Sequence, residues 1–135
     1  MLVLLDTNIC IHLINRRPGF EGVLRRLSGR SFGEICISAI TVSELRYGVT
    51  KSTRSSENAA TLDEFLSRFE LLDYPVDAAA SYGRIRADLE RAGKPIGNND
   101  LLIAAHALAI GARVATSNTS EFERVRGLKV VDWLA

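Results

Sequence analysis

Only two cysteines occur, Cys10 and Cys36, and neither has a C-x-x-C partner or a histidine cluster beside it. A disulfide scaffold and a thiolate metal site are thereby excluded, and two reduced, buried thiols are expected. Histidine is as scarce, with His12 and His106 alone. His106 lies in Ala-Ala-His-Ala-Leu, six residues or about 240° of helical turn from Asp100. It reads as a packed or supporting side chain, which argues against a ribonuclease built on a histidine acid–base pair. No apolar run approaches the roughly 18 residues of a membrane span, and Leu2 to Leu5 end at Asp6 without the basic start of a signal peptide. A cytoplasmic chain with no membrane association is expected. An excess of either charge is missing too: 17 Lys and Arg face 16 Asp and Glu, a net +1. Without a global basic field, any nucleic acid must be held by a local patch. G-x-S-x-G, the P-loop and G-x-G-x-x-G are all absent, which removes the mechanisms they serve.

What is present suits one domain spanning residues 1–135, with 47% apolar residues to fill a core. Leu2–Leu5, Ile35–Ser38, Arg113–Thr116 and Lys129–Asp132 are short strand candidates bounded by polar residues or glycine, and Glu70–Tyr74 is a weaker fifth. Helical spacing takes over between them. Leu62, Phe65, Leu66 and Phe69 recur at i, i+3, i+4 and i+7 and predict a helix from about Ser56 to Phe69. Asp77 suits an N-cap for a helix turning Ala79, Tyr82, Ile85 and Leu89 inward, stopped by Gly93. Leu101–Ile110 is apolar nearly all round and must be buried on most sides. Alternating strands and helices predict an α/β domain with a short, largely parallel sheet covered on both faces.

Ligands of such sheets gather beyond the carboxyl ends of the strands, and several acids fall there. Asp6 closes the first strand, Glu44 follows the second by six residues, Asp100 opens the buried helix, and Asn118 and Glu121 follow the Val114 strand. Each has a structural explanation of its own. Asp6 is a good N-cap residue. Thr41-x-x-Glu44 fits a capping box, which taken alone accounts for Glu44 better than chemistry does. Asp100 suits the positive end of a helix dipole. Together they would repel one another unless a cation neutralised them. Carboxylate oxygens without a Cys or His set point to Mg²⁺, with Mn²⁺ as a substitute. Such ions polarise a phosphoryl oxygen and generate a water-derived nucleophile, so phosphodiester hydrolysis fits.

The segments Leu4-Leu5-Asp6-Thr7-Asn8, Ser43-Glu44-Leu45, Ile96-Gly97-Asn98-Asn99-Asp100 running on to Ala107, and Thr116-Ser117-Asn118-Thr119-Ser120-Glu121-Phe122 resemble, in order and spacing, the PIN-domain ribonuclease toxins called VapC. The likeness extends to Gly127-Leu128 and Asp132-Trp133. It implies a three-layer α/β/α fold, Mg²⁺-dependent endoribonuclease activity that inhibits translation, and a cognate VapB-like antitoxin. Carried over by position, Asp6, Asp100 and Glu44 would hold the metal and carry catalysis. Thr7 and Asn8 would position the Asp6 loop, and Thr116 would bring a hydroxyl to the site. Many PIN domains have Asp where this chain has Asn118; Glu121 is the favoured fourth acid, acting through water. The resemblance further implies a homodimer, a higher toxin–antitoxin assembly that meets DNA only through the antitoxin, and initiator tRNA as the RNA.

RNA phosphates call for cations near the acids. Arg84, Arg86, Arg91 and Lys94 are the leading candidates and Arg113, Arg124 and Arg126 are others, although each alone reads as a solvated charge. Tyr47 suits stacking on a base, core packing or a partner groove equally. Leu45, Val49 and Phe65 suit the core or an antitoxin groove. Two other classes remain for comparison. A receiver-like Mg²⁺ module lacks its paired acids and its phospho-acceptor; a catalytically inactive PIN-type module binding RNA or a partner is opposed by the intact Asp6, Glu44 and Asp100.

Overall fold

The computed structural model describes residues 1–134. Five strands form one parallel sheet: β1 (Val3–Leu5), β2 (Ile35–Ser38), β3 (Glu70–Leu72), β4 (Arg113–Ala115) and β5 (Val130–Val131), in the order β3-β2-β1-β4-β5. The central strand shows how sequence becomes layers. Successive side chains of a strand point to opposite faces. Leu4 therefore enters a core with α5 (Ala78–Arg91) and α6 (Asn98–Ile110), whereas Val3 and Leu5 enter another with α1 (Thr7–Ile14), α2 (Phe20–Ser28), α3 (Ala39–Thr50) and α4 (Ser55–Leu66). The result is the expected three-layer α/β/α architecture. A last short helix, α7 (Thr119–Phe122), sends Phe122 into the Leu4 core.

The strand order matters for function. From β1 the chain builds outward through β2 to β3, then returns to lay β4 on the other side of β1. Order reverses between β1 and β4, and a crevice opens beyond the carboxyl ends at such a switch point. Asp6 and Thr116 are the residues that follow these two strands.

All five strand candidates are present, the weak one as the edge strand β3. β2 has the expected bounds, and the other four strands are shorter than expected, with Leu2, Thr116 and Asp132 among the residues left outside them. Other boundaries need correction. Asp77 precedes α5 in a helical conformation and its side chain caps nothing, because the turn starts at Pro75, whose carbonyl accepts from Ala78. The inward stripe of α5 consequently begins at Ala78, and Ala79 is exposed. Phe69 lies beyond the end of α4 in the turn to β3, with its ring 5.0 Å from that of Phe65. Gly111 closes α6 at φ +69°, a left-handed backbone that favours glycine. Both thiols are buried and free, and no helix among the described residues is long and apolar enough to cross a membrane.

Candidate active site

The acidic crevice is assembled from the end of β1, the body of α3 and the first turn of α6. As β1 ends, the Asp6 N–H donates to the Ala115 carbonyl at 2.9 Å, which ties the loop to β4 across the switch point. The Asp6 side chain, only 2% exposed, then takes two further bonds. Its Oδ1 accepts from the Thr7 N–H at 2.7 Å and its Oδ2 from the Thr116 hydroxyl at 2.7 Å. Asp6 is thus both the N-cap of α1 and a fixed acid of the crevice; the two readings of this residue are compatible.

Glu44 arrives differently from its capping-box reading. β2 ends at Ser38, and Ser38 itself caps α3, its hydroxyl accepting from the Ile40 N–H at 3.1 Å. Thr41 therefore lies inside the first turn, where it cannot act as the cap, and Glu44 sits on the helix body. Its Oε1 accepts from the Thr7 hydroxyl at 2.7 Å. The Thr41 hydroxyl lies 3.2 Å from that of Thr7. With the single Thr7 proton directed at Glu44, Thr41 supplies its own. Thr41, fully buried, is a supporting residue that the capping-box pattern concealed.

Asp100 enters from the third element. Gly97 precedes α6 and Asp100 stands in its first turn, as the sequence order required. Its carboxyl is pushed up to about 8, first by burial, then by hydrogen bonding to Glu121 and by the charges of Asp6, Glu121 and Glu44. Burial likewise raises Asp6, against the lowering effect of its bonds from Thr116 and Thr7. The fourth position divides its labour. The Asn118 N–H donates to the Thr116 hydroxyl at 2.8 Å, and the Asn118 side-chain amide donates to Glu121 Oε2 at 2.9 Å. Asn118 is the holder and Glu121 the carboxylate.

Asp6, Thr7, Asn8, Glu44, Asn99 and Asp100 thereby line one cleft of about 770 Å³. Each of these six side chains offers an oxygen, the donor that hard divalent cations take. Among the described residues, no three acidic, His or Cys side chains stand close enough together to make a ready-formed metal cage. Asp6, Glu44 and Glu121 are instead held by hydroxyl or amide partners, and Asp100 by its hydrogen bond with Glu121. His106 touches none of the acids in this network. Its Nδ1 lies 2.8 Å from the Ser38 hydroxyl, and its ring meets the edge of Tyr74, so it braces the start of α3.

The proposed RNA-binding cations are not among the cleft's lining. Arg84 and Arg91 pair with Asp88 and Arg86 pairs with Glu90 along α5, and Lys94 follows that helix. Arg124 donates to the Pro95 carbonyl at 3.1 Å. Lys51, which is not among the candidates read from the sequence, is the one cation that lines the cleft among the described residues.

The PIN domain family matches residues 3–128. The chain is 43% identical over 134 residues to Ribonuclease VapC2 of Rickettsia felis, covering 98% of each. It is 45% identical over 130 residues to the tRNA(fMet)-specific endonuclease VapC of Shigella flexneri, covering 96% of each. Among solved structures, the DNA-bound VapBC of Salmonella typhimurium superposes with a TM-score of 0.91 at 44% identity, covering 98% of this chain and 99% of that one. The chain belongs to the PIN-domain family, and within it to the VapC ribonucleases.

Proposed function

We propose that Asp6, Asp100 and Glu44 hold the catalytic metal of this ribonuclease, with Glu121 as a fourth, water-mediated member. The single observation that carries this reading is the convergence of Asp6, Glu44 and Asp100 on one cleft, where burial and neighbouring carboxylates push Asp100 up to about 8, the behaviour of an acid waiting for a positive charge. PIN-domain ribonucleases depend on divalent metal, and we take the ion to be Mg²⁺, replaceable by Mn²⁺. Bound there, it would polarise the scissile phosphate and activate a water.

The protein's own groups do the rest. Thr116 and the Thr7 N–H fix both oxygens of Asp6, so that this ligand needs no reorganisation. Thr41 and Thr7 aim Glu44 from across the cleft. Asn118 holds Glu121 beside Asp100, where a carboxylate can accept a proton from an attacking water. Asn8, exposed at the start of α1, and Asn99 offer amides to the RNA.

The relatives named tRNA(fMet)-specific endonucleases, at 44–45% identity, make initiator tRNA the substrate of choice. The VapBC complexes, some on DNA, support a VapB-like antitoxin as partner; we take the toxin to dimerise within a larger assembly and to meet DNA only through the antitoxin. We place the reaction in the cytoplasm, where tRNA is used. Incubating the protein with initiator tRNA and other structured RNAs, in Mg²⁺ or in EDTA, tests the reading. Cleavage should require Mg²⁺ and vanish in Asp6→Ala; cleavage that survives either change overturns it.

A further inference from the structure

Helix α3 carries more toward the cleft than Glu44. Tyr47, Gly48 and Lys51 follow it at i+3, i+4 and i+7, the spacing that keeps side chains on one helical face, and all line the acidic cleft. Glu44, Gly48 and Lys51 also line the adjoining groove between α1, α3 and α4, so this face of α3 is the ridge between the two. Three features of the ridge are not accounted for by packing in the core.

Tyr47 is 65% exposed, large and flat. Lys51 forms no ion pair with any described residue; its ammonium lies 4.9 Å from the centre of the Tyr47 ring. The neighbouring Arg46, by contrast, is held by Asp63 at 2.6 Å. Gly48 is the third. Glycine inside a helix destabilises it relative to alanine, yet a Cβ at position 48 would meet nothing within 4 Å. No close packing inside the protein calls for a missing side chain there. What the glycine does provide is an unobstructed crossing between the acidic cleft and the groove.

Resting on the nuclease reading of the acids, we propose that this ridge is the single-stranded RNA subsite next to the metal. One nucleobase stacks on Tyr47, the adjacent phosphate meets Lys51, and the sugar–phosphate chain crosses α3 over Gly48. An aromatic face binds a base whatever its sequence, and one ammonium neutralises one phosphate. A cation one helical turn beyond Tyr47 and two beyond Glu44 also offsets the repulsion between the acids and the RNA backbone.

The test is binding of a fluorescein-labelled single-stranded RNA 12-mer by anisotropy, in Ca²⁺ in place of Mg²⁺, beside thermal melts of each variant. Tyr47→Ala should weaken binding about tenfold, and Tyr47→Phe should restore it. Lys51→Ala should lower the slope of log K against log salt by about 0.7. Gly48→Gln is the sharpest variant: its Tm should be unchanged or higher, by helix propensity, while binding falls about tenfold or more. Wild-type affinity in the folded Tyr47→Ala and Gly48→Gln proteins overturns the proposal, as does wild-type protein that binds no RNA. RNA that binds through the ridge but is never cleaved leaves the subsite standing and removes the nuclease reading, so the two failures are distinguishable.

Discussion

Two sets of carboxylates, on different parts of the molecule, respond to their surroundings in opposite ways. On α5, Glu90 is exposed and Asp88 half-exposed, and they meet Arg84, Arg86 and Arg91 at helical spacing. At the switch point, Asp6, Glu44, Asp100 and Glu121 meet hydroxyls, amides and one another, and Asp100 is driven far above the ordinary carboxylate range. Exposed acids with arginine partners are self-sufficient, and solvent screening makes them matter little. Acids that are buried or half-buried and have neutral partners are held in place at a cost, and a cation relieves it. The contrast separates surface charge from chemistry although both sets are plain Asp and Glu in the sequence.

The largest expected effect tests the buried side of that contrast. Asp100→Asn keeps the shape of the carboxyl and removes its charge. RNA cleavage in saturating Mg²⁺ should fall by more than about 100-fold, a loss beyond that of removing a supporting partner. Thr116→Val deletes the hydroxyl that fixes Asp6 and anchors Asn118. Its activity should fall by about 10- to 100-fold, with the metal concentration for half-maximal rate shifted upward. Thr41→Val should lower activity on the order of threefold to tenfold, less than Thr116→Val because Thr41 reaches Glu44 only through Thr7.

Stability against pH offers a subtler check. A carboxyl raised from 3.8 to about 8 on folding favours the folded state while it is protonated there. That contribution is complete below pH about 4 and is lost as pH rises towards 8. Without divalent metal, Tm should therefore drop across this window. Asp100→Asn should flatten the drop, and Mg²⁺ should oppose it by binding the ionised form. The smallest effect belongs to α5, where Asp88→Asn should leave the cleavage rate within about twofold and Tm within about 2 °C. A large loss there would erase the distinction between the two sets.

The layers were legible because β1, β2 and β4 are compact apolar runs and α6 is apolar around its circumference, patterns that burial on both sides demands. Two helices were not. In α2 the one buried residue is Val23, and Gly22 weakens the helical signal; α7 has four residues, too few to show a period. At the site, the acids stood out as residues following strand ends or opening helices. Of their holders, Thr7, Thr116 and Asn118 came from the resemblance, whereas Thr41 did not stand out, because a threonine that bonds across 34 residues, as Thr41 does to Thr7, leaves no local pattern. Thr41-x-x-Glu44 misled because the cap lies three residues earlier, at Ser38, which in sequence looks like the last residue of a strand. Charge on α5 drew notice as a basic patch, but intrahelical pairing accounts for it. Lys51, in a polar turn, comes to the cleft only once α3 is folded against α1 and α6.

Whether the acids at the switch point form a metal site is measured, without any RNA, by a Mn²⁺ titration followed by electron paramagnetic resonance. Wild type and Asp88→Asn should bind Mn²⁺ alike, while Asp6→Ala and Asp100→Asn, shown to be folded by their melts, should bind at least about tenfold more weakly. Equal Mn²⁺ affinity in all four proteins would contradict a metal site there.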